Sequence, residues 1–120
     1  MASRRMDRIA ELIQQELSLM ITTKQIKDPR LVGIVTITRV KVTADLSQAT
    51  AYFSVMGTEK EQKSSSAALK SAAPYLQGVV SRNLRLKKTP QLSFKEDTSL
   101  DEAFKVFNLL EKIKGDEGSQ

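Results

Sequence analysis

Apolar residues Met6, Ile9, Ile13, Leu17 and Met20 recur at steps of three and four, so the chain from about Ser3 to Ile21 predicts an amphipathic helix with Ser3 as its N-cap. Pro29 pushes Asp28 out of the helical region, and Lys27-Asp28-Pro29-Arg30 predicts a turn. Gly33 to Thr43, rich in Val, Ile and Thr, predicts a strand whose alternation slips. Val35 and Ile37 share one face, while Val40 and Val42 fall on the other. A β-bulge near Thr38-Arg39 would return all four to the core side. After a turn at Ala44-Asp45-Leu46-Ser47, Gln48 to Met56 predicts the partner strand of an antiparallel hairpin. Ala49, Ala51, Phe53 and Val55 would point inward, and Thr50, Tyr52 and Ser54 outward.

Thr58 and Glu61 have the spacing of a capping box, and a helix from about Glu59 should carry Ala67, Ala68, Leu69, Ala72 and Ala73 as small apolar contacts. Pro74 interrupts the pattern, which resumes with Leu76, Val79, Val80 and Leu84. A proline inside a helix removes a hydrogen bond and clashes with the preceding turn. The expectation is helix, kink, helix, with Pro74 opening the second segment. Beyond Pro90, Leu92 and Phe94 share one face of a short strand over Gln91 to Lys95. Ser99 and Glu102 repeat the capping-box spacing, and Leu100, Ala103, Phe104, Phe107, Leu110 and Ile113 predict a last amphipathic helix. The chain contains no repeat, low-complexity tract or linker. A single α+β domain over residues 1–114, with a flexible tail at 115–120, is the expected organisation.

With 120 residues, such a domain can bury well over half of its unfolded surface. The chain has neither Cys nor His, which removes disulfides, thiol nucleophiles, Cys/His zinc sites and imidazole acid–base chemistry. No cofactor or metal is expected. The basic N-terminus lacks an apolar run behind it, since Glu11, Gln14, Gln15 and Glu16 interrupt, and no segment has the apolar length to cross a bilayer. A cytoplasmic protein without membrane contact is expected.

Charge is strongly segregated. Between Lys63 and Lys95 stand seven cations (Lys63, Lys70, Arg82, Arg85, Lys87, Lys88, Lys95) and no acid, whereas Glu96 to Gln120 holds seven acids against three lysines. With a net charge of +5 so concentrated, a polyphosphate partner, foremost nucleic acid, is the first hypothesis. Arg82, Arg85, Lys87 and Lys88 are the main RNA-binding candidates, because Arg can grip phosphate oxygens bidentately and Lys adds point charges. Lys70 and Lys63 are secondary. Lys95 could equally be an edge-strand charge that discourages aggregation. Arg4, Arg5 and Arg8 oppose the dipole of the first helix, which a phosphate partner would relieve and a solvated face would merely tolerate.

Four stretches, in order and at compatible spacing, resemble the ribosome-binding factor A family of bacterial and organellar small-subunit assembly proteins. They are Arg4-Arg5-Met6-Asp7-Arg8-Ile9-Ala10, Lys27-Asp28-Pro29-Arg30-Leu31, Val40 to Ala51 with Asp45-Leu46-Ser47, and Thr89-Pro90-Gln91-Leu92-Ser93-Phe94 followed by Asp97-Thr98-Ser99. The resemblance implies a type II KH-like domain: a three-stranded mixed sheet with helices on one face. A standard KH domain clamps nucleotides at a GxxG loop. This family replaces that loop with a helix kink, and Ala72-Ala73-Pro74 occupies its place, with Pro74 where relatives usually have Gly. That substitution removes a backbone N–H from the phosphate-facing position and shifts weight to the flanking cations. The implied function is non-catalytic: a monomer that binds the 30S subunit and 16S rRNA during late maturation, including 5′-end processing, with a role in cold growth. A general single-strand or duplex nucleic-acid binder using the same patch is the alternative.

Few rings are available for base stacking, because Phe53, Phe94, Phe104 and Phe107 fall on core faces. Only Tyr52 and Tyr75 remain as surface rings, so backbone and shape recognition is expected. Asp101, Glu102 and Glu111 could suggest paired-carboxylate catalysis, but Asp101 and Glu102 occupy a first helical turn, where acids favour the dipole. Lys60, Lys63 and Ser64-Ser65-Ser66 lack a Gly-rich phosphate loop.

Overall fold

The structure is a computed structural model that describes residues 2–99, with side chains from Arg5 onward. Its elements are α1 (Ala2–Thr22), β1 (Ile34–Val42), β2 (Gln48–Met56), α2 (Glu59–Leu84) and β3 (Gln91–Glu96). The helix expected from Leu100 to Ile113, the carboxylates Asp101, Glu102 and Glu111, and the tail at 115–120 lie outside the described residues. α1 already includes Ala2, so Ser3 lies within the first turn rather than capping it.

β2 is the central strand of a mixed sheet ordered β1-β2-β3. It pairs antiparallel with β1 and parallel with β3, and α2 makes the crossover that a parallel connection requires. Val35 faces Val55 and Ile37 faces Phe53; the register then shifts between Ile37 and Arg39, after which Val40 faces Ala51 and Val42 faces Ala49. The expected bulge is there, and it leaves Val35, Ile37, Val40 and Val42 all at least half-buried.

Both helices cover the same side of the sheet. Ile13, Leu17 and Met20 come from α1, and Leu69, Leu76 and Val80 from α2, to meet Ile37, Phe53, Leu92 and Phe94. Phe53 and Phe94 meet edge to face with ring centroids 6.4 Å apart. The small Ala49 and Ala51, 1% and 0% exposed, let the helices approach the sheet.

α2 opens with the expected capping box: Glu61 N–H donates to Thr58 Oγ1 (3.2 Å) and Thr58 N–H donates to Glu61 Oε1 (2.9 Å). The expected division at Pro74 is corrected, because α2 runs unbroken through that residue to Leu84. Lys70, Ser71, Pro74 and Tyr75 are all exposed, so the Lys70 carbonyl that lacks a partner N–H lies on the solvent side, where water can serve it. Leu69 on one side and Leu76, Val79 and Val80 on the other are buried in one core, which holds both halves in a single helix.

Two polar anchors fix the loops. Ser65, fully buried on α2, accepts from Val32 N–H (2.9 Å) and donates to Val32 O (2.5 Å), so one hydroxyl serves both backbone groups ahead of β1. Asp97, just past β3, accepts from Thr38 Oγ1 in the bulge (2.5 Å) and from Ser99 Oγ and N–H (2.6 and 2.9 Å). The Ser99 hydroxyl first, then Thr38, hold its carboxyl down at about 2. In the β1–β2 turn, the Ser47 and Thr43 hydroxyls likewise hold Asp45 at about 2.

Ser65→Ala leaves both Val32 groups without their partner, and we expect a loss of about 1–3 kcal/mol in urea unfolding. Asp97 and Asp45 have folded pKa values below the ordinary carboxylate value. Their contribution is therefore complete above about pH 4 and is lost as the pH falls toward 2. Thermal midpoints should drop across that window, and Asp97→Asn should be less stable at neutral pH with a flatter acid limb. An unchanged acid limb in the variant would show that Asp97 is not the titrating tie.

Candidate nucleic-acid interface

The basic cluster is built around the end of α2. Arg82 occupies its last turn, where the helix dipole favours a cation. Its guanidinium lies back along the helix, with Nη1 4.0 Å from where a side chain on Gly78 would begin. Arg85 terminates the helix in the left-handed region (φ 51°, ψ 43°), with its N–H donating to Ser81 O. The arginine is thus the helix stop, a position that glycine usually fills.

The connection to β3 is fastened on its inner side. Leu84 and Leu86 are half-buried, Thr89 Oγ1 bonds Ser81 Oγ (2.6 Å), and buried Pro90 leads to Gln91, whose N–H donates to Ser47 O. Fixing those groups inward leaves Arg82, Arg85, Lys87 and Lys88 exposed around one corner of the molecule. The ion pairs among the described residues are Arg30–Asp28 (2.8 Å) and Lys63–Glu59 (3.5 Å), so no described carboxylate pairs with the four cations. Glu16 is close by, where its Oε1 accepts from Asn83 Nδ2.

The other expected site residues separate from this corner. Lys70 lies about 18 Å up α2 from Arg82, by the helical rise. It lines an open groove with Glu59, Lys63 and Glu96, where two carboxylates offset its charge. Arg5 and Arg8 are exposed near the start of α1, whose first turn holds no acid although Asp7 stands between them, and the Arg4 side chain lies outside the described residues. Arg8 is about 12 Å along α1 from Glu16, which meets the end of α2. Ala72 and Ala73 are half-buried against the core, beside exposed Pro74 and Tyr75 (58%). Ala72 and Ala73 are therefore packing residues.

Sequence reasoning passed over Arg39, whose guanidinium carbon sits 4.1 Å above the centre of the Tyr52 ring. The bulge, once placed, carried the signal, since it sets Arg39 opposite outward-facing Tyr52.

A sequence model of the family described as Ribosome-binding factor A matches residues 5–110. The ribosome-binding factor A of Geobacter sulfurreducens is 41% identical over 115 residues, covering 96% of this chain and 96% of that protein. The crystal structure of ribosome-binding factor A from Thermus thermophilus superposes with a TM-score of 0.63 at 23% identity, covering 76% of this chain and 94% of that one. A Thermus thermophilus ribosome binding factor A homology model, fitted into the cryo-EM map of a 30S complex, gives 0.59 at 24% identity, covering 72% and 89%. The expected α+β, KH-like fold is the one these structures share.

Glycine adopts the left-handed conformation of residue 85 without the penalty of about 1–2 kcal/mol that other residues meet there. Arg85→Gly should therefore raise stability by about 0.5–1 kcal/mol in urea unfolding while weakening RNA affinity. A gain in stability with no change in binding would remove Arg85 from the interface.

Proposed function

Because this chain belongs to the ribosome-binding factor A family, we propose that it binds the immature 30S subunit and contacts 16S rRNA there. In this reading it is a non-catalytic monomer in the cytoplasm that supports late maturation, including 5′-end processing and function in the cold. The carrying observation is the corner formed by Arg82, Arg85, Lys87 and Lys88, which are exposed and form no ion pair with described carboxylates. The Thermus thermophilus relative, placed in a 30S complex, supports the subunit as partner.

Differential binding supplies the mechanism. A protein that prefers one rRNA conformation shifts the assembling population toward it, and leaves when the mature shape no longer fits. Fixed guanidinium and ammonium groups on a rigid helix end read the spacing of phosphates, which depends on RNA shape and not on base identity. Removing all four cations tests this reading. The Ala variant of Arg82, Arg85, Lys87 and Lys88 should stay folded and bind immature 30S particles more weakly. If three phosphate contacts are lost, the slope of log affinity against log salt should fall by about two units. An unchanged affinity and slope would rule out this corner as the footprint. Equal affinity for immature 30S, mature 30S and free RNA of matched length would instead mark a general nucleic-acid binder.

A further inference from the structure

The helices cover one side of the sheet; the other carries a second set of cations. Arg39, Tyr52 and Lys95 are register partners across β1, β2 and β3, and Lys41, Thr50 and Ser93 form the next rung. With strands about 4.8 Å apart, Arg39 and Lys95 flank Tyr52 at about 10 Å from each other, and Lys41 stands about 7 Å along the strand. All three cations are exposed. The one carboxylate in the three strands is Glu96, which pairs in register with buried Phe53 and so belongs to the helix-covered side. Asp97 lies near enough to Arg39 to sense its charge, but its oxygens are engaged by Thr38 and Ser99. Lys41 and Lys95 have no ion pair among the described residues.

The Arg39 guanidinium carbon lies 4.1 Å from the centre of the Tyr52 ring and Arg39 is exposed, so the pair offers an unpaired base a cationic and aromatic stacking partner. We propose that this sheet face, left open by the described helices, is a second RNA-binding surface, specific for single strands. A base stacks on the Arg39–Tyr52 pair while Lys41 and Lys95 hold flanking phosphates. A base inside a duplex is stacked on both faces and has none free to offer, so duplex RNA fits poorly. A protein partner fits less well, because the exposed apolar pair Ile34 and Met56 lies at the far end of the hairpin, about 13 Å from Tyr52. The surface is built from other residues than the corner at the end of α2, so each can be removed by substitution without the other and it stands or falls by itself.

The test is fluorescence anisotropy of the full chain with a labelled oligouridylate of about twelve nucleotides, against a duplex of the same length. Replacing Arg39, Lys41 and Lys95 together with Ala should weaken oligouridylate binding about tenfold or more. Tyr52→Leu should weaken it about fivefold or more, while Tyr52→Phe, which keeps the ring, should bind like the parent. The α2-corner variant should keep its single-strand affinity. If the triple variant unfolds, the double replacement of Lys41 and Lys95, both exposed, carries the test through its smaller salt slope. Parent-like oligouridylate binding by the folded triple or double variant overturns the proposal, as does a triple variant that loses duplex binding as much as oligouridylate binding. A triple variant that loses immature 30S but keeps oligouridylate also overturns it, by pointing to a ribosomal protein. Loss of subunit binding in the α2-corner variant, together with parent-like oligouridylate binding by the folded triple variant, leaves the function proposed above standing and this surface refuted.

Discussion

The sheet is organised around β2, whose side chains divide the described residues into a side covered by the helices and a side they leave open. Ala49, Ala51, Phe53 and Val55 are shut beneath the helices, so Thr50, Tyr52 and Ser54 must stand on the opposite side. A sheet strand has a period of two, and one slip in register would exchange the two sets. The bulge between Ile37 and Arg39 is the device that keeps β1 in step with this constraint. Without it Val40 and Val42 would face solvent, and Arg39 and Lys41 would face the core. One extra residue thus fixes both the packing of β1 and the position of its cations. Asp97 reinforces that arrangement from the far edge by accepting a bond from Thr38 within the bulge.

Features whose cause lies within a few neighbouring residues were legible in the sequence. The bulge follows from a broken alternation, the Thr58 cap from its spacing to Glu61, and the α1 stripe from its helical period. Pro74 misled because the penalty of an internal proline is local, whereas its consequence depends on where the freed carbonyl points. On the solvent side of a helix whose two halves share one core, the chain can absorb the lost bond without ending the helix. The anchors that set the sheet edges were invisible for a related reason. Gln14 donates to the carbonyls of Ile37 and Thr38 at the β1 edge, and Gln77 accepts from Leu92 N–H at the β3 edge. Nothing in the identity of a glutamine on a helix says which strand it will meet.

The candidate site divides the same way. Which residues are cationic is plain from the sequence, but not which of them stand together. Chain proximity groups Arg82, Arg85, Lys87 and Lys88, since a helix end and a short fastened loop keep neighbours in space. It also attracted Lys70, which the unbroken run of α2 carries away to a groove shared with carboxylates. Arg39 and Lys95 are far apart in sequence and were brought to one rung only by strand order.

Stability alone does not account for the basic residues equally. Arg82 in the last turn of α2 has a local reason to be positive, because the helix dipole there favours a cation. Arg85 does not: its left-handed backbone is a place where glycine would relax the chain, and an arginine there retains strain. Arg5 is opposed by the positive end of α1, whose first turn holds no acid to offset it. Positions where a cation costs folding free energy and gains no internal partner are those expected where charge is kept for an outside anion. On that physical ground Arg85 is the stronger member of the α2 corner, and Arg82 the member whose presence the fold explains unaided.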